Sequence, residues 1–455
     1  MCVAVLPFAS MAERVLIIGG GLAGCYLAAI LAARGKCVTL LERAQRLGGR
    51  AGTLRDRQTG DLVEIGPHLI MGCYAATRRF ARSVHGDDAL VFQNHLSIPF
   101  QLSSKTAIRF ACPPLPAPLH VGAALLRFSG LSLRDRWAGL RMGPELFRRR
   151  RFGSHHLDGE TAADWLARSG QTPATIQFVW APLCLAALNL PPESGSAKLF
   201  ANVLVEAFCR SQRGSRLGWA REGLGTLCDV QARTFIEGKG GRVLTRTRAR
   251  RLLMRHGRAT GVLLPSGESI DADVVVSTLA PWDLQVLLRS SGLAEMTEWK
   301  DLSRFEPSPI LTLSLWLDRE MTDNHFVRLH NKRFHWLFDN GRRLGGSRYS
   351  TPCYSLLISG PNSLMDCSKA ELVEIALEDL VDLFPHARQA RVLHATVSKQ
   401  RRAAYAPYPG LEIFRPKPQT TVPGLYFAGD WTATGLPGTV ESACRSAEAV
   451  VCLLA

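Results

Sequence analysis

Most features that would place a chain in a membrane, in a disulfide scaffold or around a metal are missing here. No apolar run approaches the roughly 20 residues that a membrane-spanning helix needs. The 12 cysteines are scattered and none stands in a C-x-x-C pair. That leaves neither metal-ligand spacing nor a disulfide framework, so the expectation is a reduced, cytoplasmic protein with mostly buried thiols and no metal. Residues 1–10 are apolar but lack the basic stretch of a secretory signal. Met11 stands directly before the first strand, and residues 1–10 are expected to be dispensable. No internal repeat or long low-complexity segment is visible. Acidic residues are also scarce: 39 Asp and Glu stand against 55 Lys and Arg, a formal charge of +16. The surplus is mostly arginine, in Arg148-Arg149-Arg150-Arg151 and between residues 242 and 258. No nucleic-acid fold signature accompanies these clusters, so nucleic acid is not an expected partner. A solvated basic face is the plain reading, and an anionic membrane surface or anionic ligand is the alternative.

What the chain does have is length for two domains, at 455 residues with 46% hydrophobic. Near its start, Arg14-Val15-Leu16-Ile17-Ile18 reads as a short buried strand. Gly19-Gly20-Gly21-Leu22-Ala23-Gly24 follows, then an apolar helix to about Arg34, ended by Gly35. A second strand, residues 37–41, runs into Glu42. A lone G-x-G-x-x-G is a weak signal. Here Gly19, Gly21 and Gly24 have the strand before them, the helix after them, and an acidic residue about 20 positions on for the ribose hydroxyls. The phosphates of a dinucleotide would sit on the helix-start N–H groups.

Gly48-Gly49-Arg50 offers another backbone turn and a fixed positive charge just past Glu42, a placement that marks a flavin rather than a nicotinamide protein. Near the other end, residues 424–429 read as a strand closing on Asp430, placed for the ribityl hydroxyls. A helix then begins around Gly438-Thr439, with N–H groups aimed at the flavin pyrimidine. A dinucleotide fold split between the two chain ends makes the segments between them insertions. A hairpin is expected around Thr59-Gly60-Asp61, and residues 75–210 read as largely helical. The α/β pattern returns over 222–278, with a helix entry at Gly223-Leu224-Gly225, a strand at 243–245, a turn at Pro265-Ser266-Gly267 and a buried strand at 274–276. Residues 310–317 suggest the central strand of a second sheet, with 356–359 as a partner. No second nicotinamide fingerprint appears, so electrons come from a separate donor or leave to a quinone or oxygen.

On these residues the chain resembles the flavin amine oxidase and phytoene desaturase superfamily over nearly its whole length. The resemblance implies a discontinuous, Rossmann-like FAD-binding domain over 12–75, 215–285 and 420–455. An inserted α+β substrate-binding domain over 76–214 and 286–419 would roof the flavin. It also implies cofactor contacts from Leu22 and Ala23 in the first turn, Arg43 beside Glu42, Gly66 to Leu69, Val243 at the adenine, Gly429 beside Asp430, and Val440 after Thr439.

Within the superfamily, three stretches are similar to the squalene-associated desaturases, the hydroxysqualene dehydroxylases: residues 66–74, 182–193 and 431–437. The first departs from the usual Asp-Asn-Gly-Gln-His, reading Glu64-Ile65-Gly66-Pro67-His68 and so losing the amide beside the histidine. This narrower resemblance implies reduction of hydroxysqualene, a C30 polyprenyl alcohol, to squalene in hopanoid biosynthesis. Loss of an allylic hydroxyl leaves a delocalised cation that reduced flavin can meet with hydride. His68 is the candidate for assisting hydroxyl departure, against a bystander histidine behind the flavin. Glu441 is a second catalytic candidate, against a role in tying its helix to the sheet. Trp180, Leu183 and Leu188 are the candidate tunnel lining, against ordinary core packing. The apolar, proline-rich stretch 112–128 and the basic stretch 134–151 suggest a peripheral dock on the inner face of the cell membrane. Two other readings stay open: a carotenoid-type desaturase or related oxidase running hydride the opposite way, and a non-enzymatic prenyl-binding protein of the Rab escort and GDP-dissociation type.

Overall fold

The computed structural model of the chain describes residues 12–296, 299–345 and 349–454; the expectation for residues 1–10 lies outside them. Five short strands form a parallel sheet: β1 (Arg14–Ile18), β2 (Cys37–Leu41), β3 (Arg242–Leu244), β4 (Val274–Ser277) and β5 (Leu425–Phe427). Their order is β3-β2-β1-β4-β5, with Ile17 level with Leu40 on one side and Val276 on the other. A parallel sheet must be covered on both faces, which explains the uninterrupted apolar runs of β1 and β4. Val15 and Ile17 point into one core with helices α1 (Leu22–Ala33) and α2 (Val440–Leu453). Leu16 and Ile18 point into another with helix Pro281–Ser290. The expected Rossmann-like domain, split across the whole chain, is the architecture observed.

The inserted domain is built on a seven-stranded mixed sheet. Strand Pro307–Leu317 pairs with Val392–Tyr405 on one side and Cys353–Ser359 on the other, so the central strand and its partner stand where the residues suggested. Trp336–Asp339, Phe326–Leu329 and the hairpin Ser97–Ser103/Thr106–Ala111 continue it. One face packs on helix Lys369–Leu383 through Leu337, Leu356 and Ile358. The opposite face carries Phe326, Phe338 and Leu357 toward the helical layer of residues 119–209.

Two domain borders are corrected here. The stretch 75–210 is largely helical as expected, and it also holds a hairpin that completes a sheet whose other strands lie far later in the chain. The domain border expected at 285 cuts helix Pro281–Ser290, whose Leu287 and Leu288 share a core with Leu16, Trp299 and Phe305. Likewise helix Ala75–His85 packs Ala76 and Phe80 into the nucleotide core rather than starting the insertion.

Gly24 is what lets α1 lie on β1: a β-carbon there would come 1.9 Å from the Gly19 carbonyl oxygen. Backbone cannot yield as a flexible side chain does. Gly24→Ala is expected to cost about 3 kcal/mol or more, read as a fall in Tm with loss of bound flavin; an unchanged Tm contradicts this account.

Candidate functional site

The turn after β1 opens a trough. Gly19 has φ +112°, which a side chain rarely adopts, while a β-carbon on Gly21 would meet nothing within 4 Å. Gly21 is the N-cap of α1 with no side-chain cap and no acidic residue in the first turn, so the N–H groups around Leu22 and Ala23 are open to an anion. Glu42 is held at the end of β2 by accepting from Gly20 N–H at 2.8 Å and Ala44 N–H at 2.7 Å. Val243 sits in β3, level with Leu40 of β2. The second glycine turn closes on the first: Gly48 N–H donates to the Gly20 carbonyl at 2.8 Å, and a β-carbon on Gly49 would lie 3.2 Å from Gly21 Cα.

A third backbone approaches from the other side. A β-carbon on Gly225 would come 1.9 Å from Thr53 N, and one on Gly48 would come 3.1 Å from Gly225 Cα. Gly225 therefore belongs to the cradle. Its pairing with Gly223 before a helix was the visible signal, readable only as a helix entry.

Arg50 and Asp430 meet although 380 residues separate them. Arg50 Nη2 donates to Asp430 Oδ1 at 2.6 Å, and Nη1 to the Ala403 carbonyl of the inserted domain at 3.3 Å. Gly429 is anchored by its N–H on Ser446 Oγ at 2.7 Å. Thr439 caps α2 by accepting from Ser442 N–H, leaving the helix start at Gly438 and Val440 on the cavity edge. Open amides at Gly21, the Glu42 carboxylate and the Arg50–Asp430 edge together match phosphate, ribose and polyol chemistry. The trough thus fits a flavin dinucleotide. Arg43, beside Glu42, forms a surface ion pair with Asp283 at 3.0 Å.

Beside the trough lies a mainly apolar cavity. Gly66, Pro67, His68, Leu69 and the Gly438–Val440 helix start form its polar end; Phe178, Trp336 and Phe338 form aromatic walls; Phe110 and Val121 mark the far end. Trp180 lines it, steadied by donating its indole N–H to Gln171 Oε1 at 2.6 Å, and Leu183 lines it too. Leu188 does not: it is buried in the helical core behind the wall. The hairpin aromatics Phe100 and Phe110 were missed, because only the folded sheet brings them to the helical layer.

His68 borders the cavity, and burial lowers its pKa from the usual range, with Glu64 opposing and Arg343 reinforcing that shift. That shift favours the neutral imidazole. Glu441 is corrected outright. It is fully buried and its oxygens accept from Ala76 N–H, Thr77 N–H, Thr77 Oγ1 and Arg445 Nε at 2.9–3.1 Å. It binds α2 to helix Ala75–His85 and has no free edge toward the cavity.

A dinucleotide trough set against a long apolar cavity is the architecture of a flavoprotein oxidoreductase. The chain belongs to the flavin containing amine oxidoreductase family, whose model matches residues 22–455. It is 25% identical to a 15-cis-phytoene desaturase of Solanum lycopersicum, over 96% of this chain and 77% of that one. It is 26% identical to a hydroxysqualene dehydroxylase of Sinorhizobium fredii, over 96% of this chain and 97% of that one. An oxidoreductase structure from Methanosarcina mazei superposes with a TM-score of 0.74 at 18% identity, over 96% and 99% of the two chains, and shares the fold. The protein is a flavin-dependent oxidoreductase of the phytoene desaturase and amine oxidase family.

Asp430→Ala is expected to release Arg50 and lower the flavin bound per chain severalfold, with Tm changed far less in the flavin-free protein. Full retention of visible flavin absorbance would remove Asp430 from the site.

Proposed function

We propose that the protein is FAD-dependent and reductively dehydroxylates hydroxysqualene to squalene. The observation that carries this reading is a long, mainly apolar cavity whose polar groups gather at the trough end. A C30 polyprenyl alcohol needs apolar walls along its length and hydrogen-bonding groups only where its hydroxyl lies. The relative named for this activity, matched over nearly the full length of both chains, supports it.

FAD bound in its reduced form supplies a hydride. The chain's own residues do the rest. Phe178, Trp180, Trp336 and Phe338 extend the chain and exclude water from a developing allylic cation. His68 meets the hydroxyl as a neutral hydrogen-bonding group, and Asn189 and Ser359 line the same cavity. The carbon–oxygen bond would break, with hydride from the reduced cofactor going to carbon and a proton from solvent going to the departing oxygen, giving water. The α2 helix start and the Arg50–Asp430 edge would hold the cofactor against this end.

The resemblance to phytoene desaturases supports a second reading, in which a polyene is dehydrogenated in the same cavity and hydride runs toward the flavin. Mixing anaerobic, dithionite-reduced protein with hydroxysqualene separates the two. Squalene formation with flavin reoxidation is expected. Dehydrogenation of phytoene with hydroxysqualene untouched overturns the dehydroxylase assignment.

We further infer that substrate arrives from a bilayer surface. Leu133, Trp137, Phe147 and Phe152 are 73%, 65%, 69% and 73% exposed, on two consecutive helices next to Leu119–Arg127, whose Val121 reaches the far end of the cavity. These exposed side chains are of the kind that lie in a membrane interface; no helix among the described residues is long and apolar enough to cross a membrane. The basic stretch needs correction: Arg149 is buried, bonded to Glu145, and only its neighbours Arg148, Arg150 and Arg151 are exposed. Binding to anionic vesicles is expected to weaken with added salt and on neutralising Arg134, Arg148 and Arg151; absence of binding at low salt sinks the dock.

A further inference from the structure

Two opposite charges are sunk beside the polar end of the cavity. Glu64 ends strand Leu62–Glu64 of the nucleotide domain, and Arg343 ends the short helix Asn340–Arg343 of the inserted domain. Arg343 Nη2 donates to Glu64 Oε2 at 2.9 Å, with side chains 0% and 3% exposed. The same nitrogen donates to the His68 carbonyl at 3.4 Å. The guanidinium also lies 5.0 Å from the ring centre of Phe338, a cavity wall. Removing two charges from water is costly, and a buried pair is often no more stabilising than apolar side chains of the same size. Such a pair calls for a reason other than stability.

The surroundings supply one. Arg343 Nε and Nη1 and His68 Nδ1 are buried and find no hydrogen-bond partner in the protein among the described residues. A guanidinium in that position acts on whatever charge the neighbouring imidazole carries. We propose that Arg343, anchored on Glu64, is a positioning residue for His68: it pins the His68 backbone at the polar end of the cavity and sets a positive charge against that of Glu64 beside the imidazole. This rests on the reading that His68 faces the reacting carbon. An imidazolium would oppose a developing allylic cation, whereas a neutral ring can hydrogen-bond to the hydroxyl without adding charge. The charged groups acting on His68 are Glu64, which favours its protonation, and Arg343 and Arg50, which disfavour it; Arg50 is itself tied to Asp430. Burial works in the same direction as the arginines and is the largest influence.

The two members of the pair therefore pull the histidine in opposite directions. Flavin-loaded protein with ring-labelled histidine is titrated by NMR, with the His68 signal assigned by its loss in His68→Gln. Wild-type His68 is expected to remain neutral through the mildly acidic range. Arg343→Met, which leaves Glu64 unopposed, raises the pH at which His68 gains its proton by roughly one unit or more. Glu64→Gln moves it the other way. Arg343→Lys keeps the charge and keeps His68 neutral, which preserves the test where the methionine variant fails to fold. In turnover, Arg343→Met moves the acid limb of kcat/KM upward in parallel. A His68 titration unchanged in Arg343→Met and Glu64→Gln, or shifted the same way in both, overturns the proposal. If the opposite shifts appear but hydroxysqualene is untouched, the setting of His68 is supported and only the substrate reading falls.

Discussion

Three stretches of backbone, around Gly19–Gly24, Gly48–Gly49 and Gly225, approach so closely that one added β-carbon would force them apart. At Gly24 and Gly225 that carbon would stand 1.9 Å from another backbone atom. Backbone at this distance has no room to adjust, so the constraint fixes where α1 starts and how the second turn lies on the first. The trough follows from it. Gly21 stays open because its neighbours are closed, and the first-turn amides face the space where phosphate would lie. The inserted domain then has one place to stand, against the Arg50 and Asp430 edge, where Ala403 receives the second arginine hydrogen bond.

The division of polar and apolar surface in the cavity follows from the same docking. Strands of the inserted sheet alternate between a face packed on helix Lys369–Leu383 and a face lining the cavity, so aromatic side chains two residues apart build one wall. The buried charges near the trough are each satisfied: Glu64 is paired with Arg343, Glu441 is saturated by four donors, and Arg50 is matched to Asp430. Each pair joins segments far apart in the chain, so the charged groups hold the discontinuous domains in register. That leaves His68 at the polar end of the cavity, beside charged groups that are already paired.

Much of this was legible in the residues. The glycine turns, Glu42, Gly48-Gly49-Arg50 and Asp430 carry local signatures, since each is tied to a strand end or a helix start. Strand Pro307–Leu317 was legible because residues 310–317 form a mostly apolar run without charges. Other features were not. Leu188 and Leu183 belong to one helix and have the same chemistry, yet only Leu183 reaches the cavity. Arg149 looks like its three arginine neighbours and is buried against Glu145. Glu441 could be read as a catalytic acid until Thr77 and Arg445 were seen to occupy it.

The sequence by itself determined the nucleotide-binding half: backbone turns, caps and strand ends are decided by neighbours in the chain, so glycine spacing and acidic termini suffice to place them. Tertiary structure alone decided which apolar side chains line the cavity, which arginines are charged surface and which are buried, and that Glu64 meets Arg343 beside His68. Those outcomes depend on faces and distances between segments up to hundreds of residues apart, and no local pattern encodes the side of a helix that another domain will cover.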